Sequence, residues 1–213
     1  MNELTFSKTL KKKFAISEPI FTDELLKVFS KCSRAQLFRY IRNAKASNML
    51  KQFNKGIYYL PKQTSLGLFT INVEDVVEKK YIKSDGDVYG IYSGIELLNM
   101  FGVTTQMAGI VEIVSNNESS KKREIVINGR CFILKKSRCL IDKNNYPEYM
   151  LLELFNLLGK NETINSFAKN EIMAFIKKTN VTTKKILNLS IYFPSKAIKN
   201  LLRSGIINEI TWE

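Results

Sequence analysis

The chain has 213 residues, of which 45% are hydrophobic, and carries 33 Lys and Arg against 20 Asp and Glu, a net charge of +13. It contains no histidine and three cysteines without a Cys-x-x-Cys pair, which excludes histidine-based catalysis and zinc-finger ligand spacing and favours buried or idle thiols. No run approaches the roughly eighteen consecutive apolar residues that span a bilayer, and no signal peptide is evident, so we expect a cytoplasmic protein without membrane contact.

The positive charge is concentrated at the amino end. Residues 1–62 hold thirteen Lys and Arg against four Asp and Glu, a net charge of +9, which leaves +4 for the other 151 residues. A basic surface attracts nucleic-acid phosphates through counterion release, although a run such as the lysines at 11–13 also suits a solvated helix face. The charge therefore indicates nucleic acid as the class of partner.

Two short helices are predicted before residue 31. Residues 4–14 carry apolar side chains at helical spacing between lysines, which predicts a first helix. Thr22 is followed by two acidic residues and an apolar periodicity, which predicts an N-cap and a second helix over about 22–30. Both helices offer an apolar face for a shared core.

A third helix is predicted to begin after Ser33, which can cap a helical run that ends near Ser47. Only residues 31–33 interrupt the second and third helices, which is the spacing of a helix-turn-helix. The apolar residues of the third helix fall on one side and its polar residues on the other. We therefore expect this helix to lie in the major groove of duplex DNA.

A β-hairpin is predicted directly after the third helix. Residues 49–53 and 57–60 are short β-prone runs, and the Asn and Gly of residues 54–56 suit a tight turn. A hairpin at this place is the wing of a winged helix, with Lys55 at its tip. The sequence thus predicts a winged helix-turn-helix DNA-binding domain over residues 1–64.

The predicted DNA contacts lie on the third helix and on the hairpin turn. In the major groove an arginine can bond guanine through two hydrogen bonds and a glutamine can bond adenine, each pair contributing about 1–3 kcal/mol of discrimination. We expect Gln36, Arg39 and Asn43 to face bases, and Arg34, Arg42 and Lys55 to contact phosphates or the minor groove. The full predicted set is Ser33, Arg34, Gln36, Arg39, Tyr40, Arg42, Asn43, Asn54 and Lys55.

Residues 65–213 are predicted to form a second domain, separated by Pro61 and the polar residues that follow it. Over 65–145 the pattern predicts a small antiparallel sheet with helices on one face, including a hairpin turn at Asn128-Gly129, and over 146–213 it predicts helices. The chain is thus expected to be α+β. It contains neither a phosphate-binding loop nor a clustered pair of carboxylates, so we expect no catalytic residues, no metal site, no cofactor and no enzyme activity.

Four stretches of the sequence are similar to a known family: GIYYLP (56–61), YSGIELLNMFGVTTQ (92–106), REIVINGRCFILKK (123–136) and CLID (139–142). They resemble the AbiEi antitoxins, the regulatory half of the abortive-infection AbiE toxin–antitoxin systems. The resemblance spans roughly residues 5–160 and assigns no role to the helices after residue 160.

This resemblance implies a bifunctional type IV antitoxin. Its winged helix would bind inverted repeats in its own promoter and repress the operon, through contacts that match residues 33–43 and 54–55 here, with two copies on the DNA. Its second domain would counteract a nucleotidyltransferase-like toxin, classically without a stable complex. The residues themselves leave two alternatives: a ligand-responsive repressor without a toxin partner, and an enzyme that a winged helix delivers to DNA.

Overall fold

A computed structural model describes residues 2–64, 67–159 and 163–212 of the chain. Its fold is α+β, as the sequence predicts. In the described ranges no helix is long and apolar enough to cross a lipid bilayer.

By its backbone contacts the chain divides into two units. The first comprises Met1–Lys79 and Ile127–Arg130, and the second comprises Lys80–Val126 and Cys131–Glu213. This division falls later than the domain boundary predicted after residue 64, which itself stays a prediction. Ser65, which closes the predicted linker, lies outside the described residues.

The three helices predicted at the amino end are present in the first unit. They are α1 (Glu3–Lys13), α2 (Thr22–Val28) and α3 (Arg34–Ala46). Ser33 is the N-cap of α3, and its Oγ accepts a hydrogen bond from the Gln36 backbone N–H at 3.2 Å. This cap satisfies an amide that the first turn of a helix leaves without a helical partner.

The start of α2 differs from the prediction in one residue. Thr22 is the first residue of the helix rather than its N-cap, and its hydroxyl donates to the Gly56 carbonyl at 3.1 Å. The N-cap position belongs to Phe21, whose backbone N–H donates to the Glu24 carboxylate at 2.7 Å. The glutamate at the third helical position thus bonds the N-cap amide, and the Thr22 hydroxyl bonds the hairpin turn instead of capping the helix.

A small antiparallel sheet completes this part of the first unit. Its strands are β1 (Ile20–Phe21), β2 (Lys51–Asn54) and β3 (Ile57–Tyr59), in the order β1-β3-β2. The hairpin β2–β3 is confirmed, and the turn between its strands places Gly56 at a φ of +75°. The two-residue β1 was not predicted, because it is too short to show an alternation of polar and apolar residues.

One apolar cluster joins these helices and strands. Its fully or almost fully buried members include Phe6, Leu10, Leu25, Phe29, Leu37, Tyr40, Ile41, Leu50 and Tyr58. The first unit continues through β4 (Lys62–Thr64), β5 (Gly67–Phe69) and α4 (Val73–Val77), which leads into a π-helical turn at Glu78–Ile82.

The second unit contains a mixed four-stranded sheet. Its strands are β8 (Gly90–Ser93), β9 (Val111–Ser115), β10 (Arg123–Ile127) and β11 (Arg130–Lys136), in the order β10-β11-β9-β8. The short strands β6 (Lys83–Ser84) and β7 (Asp87–Val88) pair separately, and α5 (Gly94–Met100) follows β8.

The prediction of an antiparallel sheet is therefore wrong for one pair of strands. The strands β8 and β9 are antiparallel, whereas β9 and β11 are parallel. The strands β9 and β11, which carry three buried side chains or more each, pair at the centre of the sheet, and β10 with its largely exposed side chains lies at the edge. The turn Asn128-Gly129 has positive φ at both residues, as the predicted two-residue turn requires.

The region after residue 146 is helical in its described part, as predicted. It contains α6 (Tyr146–Leu157), α7 (Ser166–Thr179), α8 (Thr183–Ser190), α9 (Ser195–Arg203) and a 3-10 turn at Ile206–Glu209. The helix α6 is buried on nearly all sides and forms the centre of the main apolar cluster. Of the two readings of the cysteines, buried or idle, burial does not apply to Cys131, which is free and exposed on β11, while Cys32 and Cys139 are free and half-buried.

Candidate nucleic-acid interface

The middle of the solvent-facing side of α3 is formed by two arginines between two alanines. Ala35, Arg39, Arg42 and Ala46 are all exposed, and their spacing of four, three and four residues places them along one line of the helix. The alanines add almost no bulk, so another surface can approach the backbone of α3 closely. The arginines offer planar groups of hydrogen-bond donors on that same line.

The exposed line of α3 differs from the predicted base-reading face because it includes Arg42. The sequence assigned Arg42 to phosphates and placed Gln36 and Asn43 beside Arg39, but the structure places Arg42 next to Arg39 at the centre of the exposed side. The sequence does contain a signal for this arrangement, because a helical wheel of α3 groups Ala35 and Ala46 with both arginines.

Gln36 lies at the edge of this exposed side and is half-buried. Its side-chain Nε2 donates to the Tyr40 hydroxyl at 3.0 Å. The amide therefore stands in a fixed position rather than extending freely into solvent.

Asn43 lies at the same edge and is turned toward α1. Its Nδ2 donates to the Glu3 Oε1 at 2.5 Å, although the side chain is exposed. The expectation that Asn43 faces a base is thus weakened, because its amide already bonds a carboxylate of the neighbouring helix.

Tyr40 is a core residue, and its inclusion among the direct DNA contacts is wrong. Its exposed fraction is 3%, and its ring stacks on Phe6 of α1 with centroids 5.4 Å apart and planes 27° apart. A side chain buried to this extent offers no surface to a base edge. Sequence pattern alone misplaced it because tyrosine combines an apolar body with a polar tip.

The first turn of α3 presents Ser33 and Arg34. Ser33 is exposed but uses its Oγ for the helix cap, and the exposed Arg34 has its guanidinium carbon 5.7 Å from the centroid of Phe38. At about 100° per residue, Arg34 lies about 140° around the helix from Arg39. It therefore belongs to a flank of α3 and not to the line of the two arginines.

The hairpin turn presents one exposed cation. Lys55 is exposed at the tip, and its backbone N–H donates to Asn54 Oδ1 at 2.7 Å. Asn54 is half-buried, so its side chain shapes the turn that carries Lys55. At the other end of the hairpin, Lys45 Nζ donates to Gln52 Oε1 at 2.5 Å and joins the end of α3 to β2.

Two acidic groups of the first unit are held by one lysine. Lys79 Nζ lies 2.6 Å from a Glu18 carboxylate oxygen and 2.9 Å from a Glu24 oxygen, and it also donates to the Pro19 carbonyl. Burial lowers the pKa of Lys79, but the hydrogen bonds to Glu18 and Glu24 outweigh it and hold the pKa above its ordinary value. The lysine stays charged, so its single positive charge is shared between Glu18 and Glu24, two of the four acids in residues 1–62.

Together these contacts leave a cationic helix face and a cationic turn in one unit. Such an arrangement can bind phosphates and donate paired hydrogen bonds to planar acceptors. No protein-family model, curated protein or solved structure gives a significant match to the chain.

Proposed function

We propose that the first unit is a winged helix-turn-helix that binds duplex DNA. The helices α2 and α3 form the helix-turn-helix, α3 enters the major groove, and the hairpin β2–β3 is the wing. The observation that carries the proposal is the exposed line of Ala35, Arg39, Arg42 and Ala46 on α3. Helix order, hairpin position and net charge support the same function.

Each part of this surface has a distinct role in the proposal. Arg39 and Arg42 donate to guanine edges, and the methyl groups of the two alanines suit thymine methyl groups. Arg34 on the flank of α3 and Lys55 at the hairpin tip contact phosphates, which positions the helix without reading sequence. Binding of two copies to an inverted repeat would give the protein a symmetric operator.

We further propose that the protein is an AbiE-like type IV antitoxin that acts in the cytoplasm and represses its own operon. The second unit would counteract a nucleotidyltransferase-like toxin encoded beside it. The support is the resemblance of the four sequence stretches, of which YSGIELLNMFGVTTQ contains the last two residues of β8 and all of α5. In this stretch the buried Ser93 hydroxyl donates to the buried Glu153 of α6 at 2.8 Å, so the family-like block belongs to the core of the second unit.

The test of DNA binding is an electrophoretic mobility assay with the upstream promoter and an unrelated duplex. We expect Arg39→Ala and Arg42→Ala to lose preference for the promoter, and Lys55→Ala to weaken binding to both duplexes alike. Lys199→Ala, which removes an exposed cation from α9, is the matched control and should bind as the wild type does. Wild-type affinity in the doubly substituted Arg39→Ala, Lys55→Ala protein would contradict the assignment.

The test of the antitoxin role is growth of cells that express the neighbouring gene. We expect that gene to arrest growth and co-expression of the full chain to restore it. Restoration should persist in Arg39→Ala, because the proposal assigns neutralisation to the second unit. A neighbour that does not affect growth would contradict the role.

A ligand-responsive repressor remains the alternative, and one observation favours it. A cavity of about 320 Å³ opens between α1 and α3, and its lining includes Glu3, Phe6, Tyr40, Asn43 and Met49. A small molecule bound there would contact the helix proposed to read DNA. This alternative predicts that a metabolite raises the melting temperature and releases the promoter, with no toxin gene beside the operator.

A further inference from the structure

Tyr40 contacts two side chains of the proposed DNA-reading helix from within the core. Its hydroxyl accepts the Gln36 Nε2–H at 3.0 Å, and its ring centroid lies 5.7 Å from the guanidinium carbon of Arg39. Its exposed fraction is only 3%, so it makes these contacts from beneath the helix surface.

The ring of Tyr40 is itself held in place by other aromatic rings. It stacks on Phe6, whose centroid lies 4.7 Å from that of Phe29 in the same apolar cluster. Rings packed in this way have few accessible rotamers, so the hydroxyl of Tyr40 occupies a fixed position. The fixed hydroxyl and ring of Tyr40 therefore restrict the orientation of Gln36, which bonds the hydroxyl, and of Arg39, which lies against the ring.

The hydrogen bond from Gln36 has a direct chemical consequence. A glutamine amide carries two N–H donors and one carbonyl acceptor, and the Tyr40 hydroxyl takes one donor. The remaining N–H and the Oε1 then form the donor–acceptor pair that fits the N7 and N6 edge of adenine. Without the hydroxyl, the amide can rotate and present its groups in either order.

We propose that Tyr40 is a positioning residue for base recognition, which orients the Gln36 amide through its hydroxyl and the Arg39 guanidinium through its ring. The proposal rests on the DNA-binding function proposed above. It assigns Tyr40 no contact with DNA, and it makes the core beneath α3 a determinant of sequence preference.

The test uses the full chain and a set of operator duplexes that differ from the parent by one base pair each, together with an unrelated duplex. Dissociation constants are measured for the wild type, Tyr40→Phe, Gln36→Ala, Arg39→Ala and the doubly substituted Tyr40→Phe, Gln36→Ala. The Gln36→Ala and Arg39→Ala profiles identify the base pair that each side chain reads.

Tyr40→Phe keeps the buried ring and removes only the hydroxyl. We expect it to lose about fivefold of the preference at the Gln36 base pair, as for one hydrogen bond, and to keep the preference at the Arg39 base pair. In the Gln36→Ala background the same change should have no further effect, because the hydroxyl then has no amide to orient. Affinity for the unrelated duplex should stay unchanged.

Tyr149→Phe is the matched control, because Tyr149 is a buried tyrosine of α6 in the second unit whose hydroxyl also accepts a hydrogen bond, from the Arg138 backbone N–H at 2.9 Å. It should keep the wild-type profile. Gln36→Glu leaves the core intact and provides a second variant. Its carboxylate can accept a hydrogen bond from the Tyr40 hydroxyl and should shift the preference from adenine toward cytosine.

The outcomes separate the two proposals. Suppose that the wild type discriminates among the operator duplexes. The positioning role is overturned if Tyr40→Phe has the same preferences as the wild type. It is also overturned if the doubly substituted protein loses the full sum of the preferences lost in Tyr40→Phe and in Gln36→Ala. If the wild type binds operator and unrelated duplex equally, the DNA-reading function is overturned and the role of Tyr40 with it.

Discussion

At the scale of single residues, two buried carboxylates of the second unit have opposite surroundings. Glu118 accepts hydrogen bonds from the Ser120 backbone N–H at 2.8 Å and from Arg123 at 2.6 Å. Glu148 is completely buried in α6, and neither of its carboxylate oxygens has a hydrogen-bond partner among the described residues. The Nζ of Lys185 lies 3.7 Å from its Oε1. These surroundings stabilise the charged form of Glu118 but not that of Glu148.

Glu148→Met should therefore stabilise the protein. Burial raises the pKa of Glu148, with Lys185 only partly opposing it, so the charged form costs stability at neutral pH. The pKa of Glu148 is higher in the folded protein than in the unfolded chain. The loss of stability is therefore present at a pH above the folded-state pKa, and it disappears as the pH falls toward the ordinary pKa of glutamate. We expect the free energy of unfolding at pH 7 to rise by about 1 kcal/mol. Urea titration at pH 7 and pH 4 measures the difference.

Glu171→Met is the control for that measurement, since Glu171 is exposed on α7 and its loss should change stability by no more than about 0.5 kcal/mol. A loss of stability in Glu148→Met would show that the ion pair with Lys185 outweighs the burial of the charge.

Glu118→Gln should have the opposite effect. Burial opposes ionisation of Glu118, but the hydrogen bonds from Ser120 and Arg123 outweigh it and hold its pKa below the ordinary value. The resulting stability is present above the ordinary pKa and is lost as the pH falls through the folded-state value. We expect Glu118→Gln to unfold about 1–3 kcal/mol more easily at pH 7 and to match the wild type in acid. Glu124→Gln, at an exposed neighbouring position, should leave the pH profile unchanged.

At the scale of secondary-structure elements, the end of α6 depends on a side chain from another helix. Asn200 of α9 is buried, and its Nδ2 donates to the backbone carbonyls of Phe155 at 2.9 Å and Leu158 at 3.2 Å. Carbonyls in the last turn of a helix have no partner within the helix, and here they are buried away from water. One amide therefore joins α9 to the end of α6.

Asn200→Asp tests this contact with almost no change in shape. A carboxylate cannot donate to the two carbonyls and repels them, so we expect a loss of about 3 kcal/mol in the free energy of unfolding. Thermal unfolding followed by circular dichroism measures the loss. Asn208→Asp introduces the same charge at an exposed position and should unfold close to the wild type; equal melting of the two variants would argue against the contact.

Local signals account for the elements that were predicted, and long-range packing accounts for those that were not. Ser33 and the Asn-Gly turn have a local chemistry that fixes a helix start and a hairpin, and both were found. The parallel pairing of β9 and β11 and the short strand β1 are settled by which apolar surfaces meet in the core. On α3 the charge pattern identified Arg39, whereas the burial of Tyr40 depends on Phe6 of another helix.

At the scale of the whole molecule, charge is the property that bears on binding. If about five phosphates are neutralised, the slope of log affinity against log salt concentration should be about −4 to −5. Lys55→Ala should reduce that slope by about one, because it removes one phosphate contact. Titrations of the promoter between low and physiological salt measure both slopes, and a slope near zero would mean that the basic face has another purpose.

The parallel pair β9–β11 also constrains the order in which the chain folds. The strand β9 cannot meet its central neighbour until the chain has been made as far as residue 136, since β10 and its turn come first. The apolar cluster that joins α1 to β3 instead lies within the first sixty residues. Contacts distant in sequence form more slowly than local ones. During synthesis, the helices proposed to bind DNA would assemble while the sheet of the second unit is still incomplete.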